Sequence, residues 1–138
     1  MKYLLDTCIL SESINPAPSP EVDSWIRAQD ADDLFTSAVI AGELRYGIER
    51  LPSGRKRTLL ESWFEATVAV GLAGRVLPFD YDIALKWGVL RANHPNARTA
   101  DAQIAATALV HGLALVTRNV KDFAFDGLAV INPWDSKH

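Results

Sequence analysis

The chain holds 138 residues, 49% of them hydrophobic and 22% charged, and carries a formal net charge of −3 from 14 basic and 17 acidic side chains. That size and mixture suit one ordinary folded domain over residues 1–138 and exclude a disordered tail, a collagen-like fibre and a disulfide scaffold. Taken alone, the negative balance also weighs against a protein that grips nucleic acid through its phosphates.

The opening Met1-Lys2-Tyr3-Leu4-Leu5 reaches Asp6 before a signal-peptide apolar core develops. Lys2 to Leu5 reads as a strand buried on both faces. The lone cysteine, Cys8, has no internal partner, so a reducing cytoplasm is the expected setting. Asn15-Pro16-Ala17-Pro18-Ser19-Pro20 is linker-like but too short and too early to divide domains. Its last two residues read as the N-cap and first residue of a helix on which Val22, Trp25 and Ile26 share a face. Leu34 to Thr36 is a weaker strand, and Ser37 caps a helix running from Ala38 to about Arg50.

Leu59, Leu60, Trp63, Phe64 and Val68 mark the next helical face, followed by a weak strand at Val76–Leu77. Asp80 caps a helix bearing Ile83, Ala84, Trp87 and Leu90, and Ile104, Ala105, Ala108 and Leu109 mark another. Leu113 to Val116 is a second buried-strand run, and Leu128 to Ile131 closes the series. The stretch from Ile104 to Val116 contains His111 and Gly112 and is shorter than the ~20 residues a membrane helix needs. Strands alternating with helices predict an α/β fold with a mostly parallel sheet covered on both faces, whose ligands sit beyond the carboxyl ends of the strands.

Acidic residues fall at those ends. Asp6 follows the first strand, where capping the next helix also explains it. Asp122 follows Leu113–Val116 through Thr117-Arg118-Asn119-Val120-Lys121, where it also reads as a loop or capping carboxylate. Asp101 lies in the first turn of its helix, which suits the macrodipole, but shares the apolar stripe of Ile104, Ala105 and Ala108 and so points inward. Buried carboxylates are rare unless paired with cations or metals. Glu43 sits mid-helix near an apolar face that Ile40, Leu44 and Leu51 complete by themselves. Four converging carboxylates would repel one another unless a cation neutralised them, and all-oxygen ligation suits Mg²⁺ or Mn²⁺. His94, His111 and His138 are isolated, no Cys/His cluster suggests zinc, and Cys8 reads as a small apolar residue behind Asp6. No GxGxxG, P-loop or GxSxG motif is present.

The ordered set Leu4-Leu5-Asp6-Thr7, Ala41-Gly42-Glu43-Leu44-Arg45-Tyr46-Gly47, Asp101, and Leu115-Val116-Thr117-Arg118-Asn119-Val120-Lys121-Asp122-Phe123 resembles the PIN-domain ribonucleases. More narrowly, the chain resembles the VapC-type toxins of type II toxin–antitoxin systems, in their FitB-like branch. Pro78-Phe79-Asp80, Ile104-Ala105-Ala106-Thr107-Ala108 and Ile131-Asn132-Pro133-Trp134 fit that branch, so the resemblance runs from residue 2 to about 134.

The resemblance implies a three-layer α/β/α PIN-like fold and an acidic pocket of Asp6, Glu43, Asp101 and Asp122, supported by Thr7, Thr117 and Asn119. It implies a Mg²⁺- or Mn²⁺-dependent endoribonuclease, usually a homodimer, neutralised by a cognate antitoxin that carries a DNA-binding domain. Two departures are mild: Cys8 stands where asparagine is often found, and Gly42 where a larger residue is common.

Candidates for holding the substrate are Arg45, Arg50, Arg55, Lys56, Arg57, Arg98, Arg118 and Lys121; only Arg55-Lys56-Arg57 is a dense cluster, and a solvated helix start explains it too. Trp25, Trp63, Trp87 and Trp134 read as core or dimer contacts. The alternatives are a stand-alone nuclease for other RNA or single-stranded DNA, a catalytically silent binding module, and a flavodoxin-like regulator, which leaves Glu43 unexplained. Setting the four carboxylates aside leaves 13 acidic against 14 basic side chains, so the acidity lies partly in residues a metal would cover.

Overall fold

The computed structural model describes residues 1–135. Five short strands form one parallel sheet: β1 (Tyr3–Leu5), β2 (Leu34–Ser37), β3 (Val76–Leu77), β4 (Ala114–Val116) and β5 (Val130–Ile131), in the order β3-β2-β1-β4-β5. Helices α1 (Thr7–Ser11), α2 (Pro20–Arg27), α3 (Ala38–Glu49), α4 (Arg55–Phe64), α5 (Tyr81–Asn93) and α6 (Thr99–His111) connect and flank it. This is the predicted α/β architecture, and each expected strand is present, trimmed or extended by a residue or two.

The local rules behind the elements are visible. Ser19, Ser37 and Asp80 accept hydrogen bonds from the backbone N–H groups of Val22, Ile40 and Ile83, capping α2, α3 and α5. Gly112 ends α6 at φ +65°, a left-handed conformation in which a side chain would be strained. The helix at 55–64 runs on into a π-helical turn, Glu65–Val70, that the sequence pattern does not announce. Leu59 departs from its expected place: it is exposed, so the inward face of α4 is formed by Leu60, Trp63 and Phe64.

Strands β1 and β4 carry the core. Leu4 pairs in register with Leu115 and Leu5 with Val116, and Leu4, Leu115 and Val116 are fully buried. Chain order runs outward from β1 through β2 to β3 and then resumes on the other side of β1 with β4. The topological switch point therefore lies between β1 and β4, where ligands of open parallel sheets gather. The residues that leave the two strands there are Asp6 and Thr117.

Candidate active site

Asp6 leaves β1 with its backbone N–H still bonded to the carbonyl of Val116, 3.1 Å away. One carboxylate oxygen, Oδ1, accepts from the backbone N–H of Thr7 at 2.8 Å, so Asp6 does cap α1 as its simpler reading requires. Capping uses only one oxygen. The other, Oδ2, accepts from the Thr117 hydroxyl at 2.8 Å, and that hydroxyl in turn accepts from the Asn119 backbone N–H at 3.1 Å. Thr117 is fully buried and Asp6 nearly so. Burial is the main reason the Asp6 carboxyl is pushed above its ordinary range; the Thr117 and Thr7 hydrogen bonds oppose the shift, and the nearby Asp101 adds to it.

Asp101 is buried in the first turn of α6. Its inwardness has a broader cause than one apolar stripe, because α6 is enclosed over most of its circumference from Asp101 to Ala108. Glu43 projects from α3, half-buried. Burial raises its carboxyl as well, Arg98 opposes this, and Asp6 and Asp101 both contribute to the rise. Three of the four expected carboxylates are thus close enough to feel one another's charge. Asp122 is exposed on the short 3-10 turn Val120–Phe123 and lines the same cleft as Asp101.

Arg98, which the sequence suggests only as a substrate-holding cation, lies inside the site. Its Nη2 donates to Asp101 Oδ1 at 3.0 Å and to Glu43 Oε2 at 3.2 Å, and its Nε donates to Asp101 Oδ2 at 3.3 Å. Its place three residues before Asp101, at the N-terminal edge of α6, was a readable signal. The link to Glu43, 55 residues away, was not.

The site lies between two clefts, and Arg98 lines both. One, of about 680 Å³, is lined by His94, Asn96, Asp101, Lys121, Asp122 and Phe125 among others. The second, of about 580 Å³, is lined by Thr7, Glu43, Leu44, Lys56, Leu60 and Trp63 among others. Of the expected cations, Lys121 and Lys56 therefore border the clefts, and Arg55 is an exposed helix start. Arg45 and Arg57 are instead tied to Glu49 and Glu61, and Arg118 lies over the Trp134 ring. His94 packs edge-on against Phe125, and His138 lies outside the described residues. Cys8 accepts from the Arg118 backbone N–H at 3.3 Å, and burial pushes its thiol up, as befits a packing residue.

Among the described residues, no three His, Cys, Asp or Glu side chains are gathered as they stand into a cage for a metal ion. The donor chemistry nonetheless fits a hard divalent cation: the donors are carboxylate oxygens, and one cation, the Arg98 guanidinium, is already drawn in between two of them.

A family model described as PIN domain matches residues 3–126. The chain is 40% identical to the VapC ribonuclease Y4jK of Sinorhizobium fredii, over 96% of this chain and 97% of that one. It is 36% identical to the toxin FitB of Neisseria gonorrhoeae, over 95% of this chain and 97% of that one. Its backbone matches the structure of FitAB bound to an IR36 DNA fragment with a TM-score of 0.87 at 34% identity, over 99% of this chain and 98% of that one. The chain therefore belongs to the PIN domain family, in the branch that holds VapC ribonucleases and the FitB toxin.

Proposed function

We propose that this nuclease is a Mg²⁺- or Mn²⁺-dependent endoribonuclease that acts as the toxin of a type II toxin–antitoxin pair. The observation that carries the reading is the grouping of Asp6, Asp101 and Glu43 at the switch point of the sheet, with their charges facing one another and a cation drawn in among them. Asp6, Asp101 and Asp122 would hold the metal, and Glu43 would reach it through water or serve as general base. A divalent ion bound there supplies a water of lowered pKa and neutralises charge on the phosphate oxygens.

The protein's own part is positioning and proton handling. Thr7 N–H and the Thr117 hydroxyl fix both oxygens of Asp6, and the Asn119 N–H fixes the Thr117 hydroxyl. Glu43, half-buried on α3 near Asp6 and Asp101, would take the proton of the attacking water. Water attacks phosphorus and gives its proton to the Glu43 carboxylate, the bond to the 3′ oxygen breaks, and that oxygen takes a proton from solvent and leaves as a hydroxyl. The products are a 5′-phosphate and a 3′-hydroxyl. Replacing Thr117 with valine is expected to lower the cleavage rate about 10–100-fold, as loss of a ligand-orienting partner does, and serine is expected to restore it. Steady-state cleavage of a fluorogenic RNA by the two variants checks this.

Lys121 and Lys56, which line the two clefts, would meet RNA there, with Arg55 and Arg118 at the surface. Recruitment of Arg45 or Arg57 would cost their pairs with Glu49 and Glu61. A cognate antitoxin with a DNA-binding domain is the partner expected from the relatives, one of which is seen as FitAB on DNA. An Arg- or Lys-bearing tail would complement the acidic pocket. Tyr81, Leu85 and Val89 leave an exposed apolar stripe along α5, which supports a homodimer within that assembly. No helix among the described residues is long and apolar enough to cross a membrane.

Side-by-side incubation with single-stranded RNA and single-stranded DNA, each with Mn²⁺ or with chelator, tests the reading. Metal-dependent cleavage of RNA is expected. Cleavage of DNA alone points to the stand-alone DNA nuclease instead, and no cleavage of either points to a binding module.

A further inference from the structure

We infer that Arg98 is a built-in counter-cation that competes with the divalent metal for Glu43 and Asp101, so that the metal must displace its guanidinium to be held by both carboxylates. The inference rests on the metal-dependent reading above and concerns how that site is kept before metal arrives.

The geometry is specific. A single guanidinium reaches both oxygens of Asp101 and one of Glu43, so it ties α6 to α3 across the site. Without a cation there, Asp6, Asp101 and Glu43 would face one another as uncompensated charges. The guanidinium also occupies one acceptor site on each of those three oxygens, and its own positive charge repels a second cation beside them. This accounts for carboxylates that are grouped and yet not gathered into a cage.

Arg98 is nevertheless easily displaced. Its side chain is 64% exposed, and it stands just before α6 without capping it. An exposed guanidinium returns to water at little cost, whereas Asp101, with a side chain only 9% exposed, cannot leave. Arg98 therefore acts as a placeholder that keeps the carboxylates together and sets the metal concentration at which the site fills.

Isothermal titration with Mn²⁺ compares the wild-type protein with Arg98→Gln. The glutamine variant is expected to bind Mn²⁺ about three- to tenfold more tightly, the worth of two weak ion pairs whose guanidinium is mostly exposed. A ¹⁵N-arginine NMR titration of the wild-type chain with diamagnetic Mg²⁺ reads displacement directly, using the variant to assign the signal. The Arg98 Nε–H resonance is expected to move to the position of a free guanidinium as the site saturates. Equal or weaker Mn²⁺ binding by the variant overturns the inference, as does an Arg98 resonance unmoved at saturating Mg²⁺; in either case the metal-dependent reading stands. If neither protein binds either metal, that reading fails and the inference falls with it.

Discussion

Replacing Asp6 or Asp101 with asparagine is expected to lower metal-dependent RNA cleavage by about 10³-fold while leaving the far-ultraviolet circular dichroism spectrum unchanged. The size follows from the several kcal/mol of charge stabilisation at stake, at about 1.4 kcal/mol for each factor of ten. The intact fold follows from the contacts. Asparagine at position 6 keeps an oxygen for the Thr7 N–H, and its amide group can donate to the Thr117 hydroxyl. The substitution also removes a buried charge that faces Asp101. At position 101 the change loosens Arg98, whose side chain is mostly exposed. Undiminished cleavage by both purified variants would remove these two carboxylates from the site.

Leu115→Ala is expected to cost about 2–5 kcal/mol of stability, a large share of the roughly 5–15 kcal/mol that holds a domain together. Leu115 is fully buried in β4, in register with the equally buried Leu4 of β1, and its backbone N–H bonds to Ala129 at 2.8 Å. The cavity would open in the strand pair that carries Asp6 and Thr117, so cleavage should fall as the folded fraction does. Leu59→Ala on the exposed face of α4 is the control, expected within about 0.5 kcal/mol of wild type. Urea denaturation followed by tryptophan fluorescence measures both. A cost below about 1 kcal/mol at Leu115 would show that this strand pair is not the centre of the core.

Much of the molecule was legible because its signals are local. A strand buried on both faces is a short apolar run, so β1 and β4 stood out at Lys2–Leu5 and Leu113–Val116. Caps are single residues with one hydrogen bond, and Ser19, Ser37 and Asp80 each behave as read. Asp6 and Asp101 were locatable because one ends a strand and the other opens a helix that is buried on nearly every side. What escaped depended on contacts between distant parts of the chain. Leu59 fits a helical stripe, yet which edge of a stripe meets the core is set by the neighbouring elements. Arg57 looked like a free member of a basic cluster, but Glu49 and Glu61 hold it. The largest difference is Arg98, read as a substrate-holding cation: its pairing with Asp101 was within reach of their spacing of three residues, and its bridge to Glu43 exists only once α3 and α6 have packed together.

In the proposed mechanism these carboxylates serve metal-dependent hydrolysis of RNA by water. The most direct measurement is the chemical nature of the ends left when the purified chain cuts a single-stranded RNA, with Mn²⁺ and again with chelator. Fragments bearing 5′-phosphate and 3′-hydroxyl ends are expected with metal, and intact RNA without it. Fragments ending in a 2′,3′-cyclic phosphate, or cleavage that proceeds equally in chelator, would contradict it.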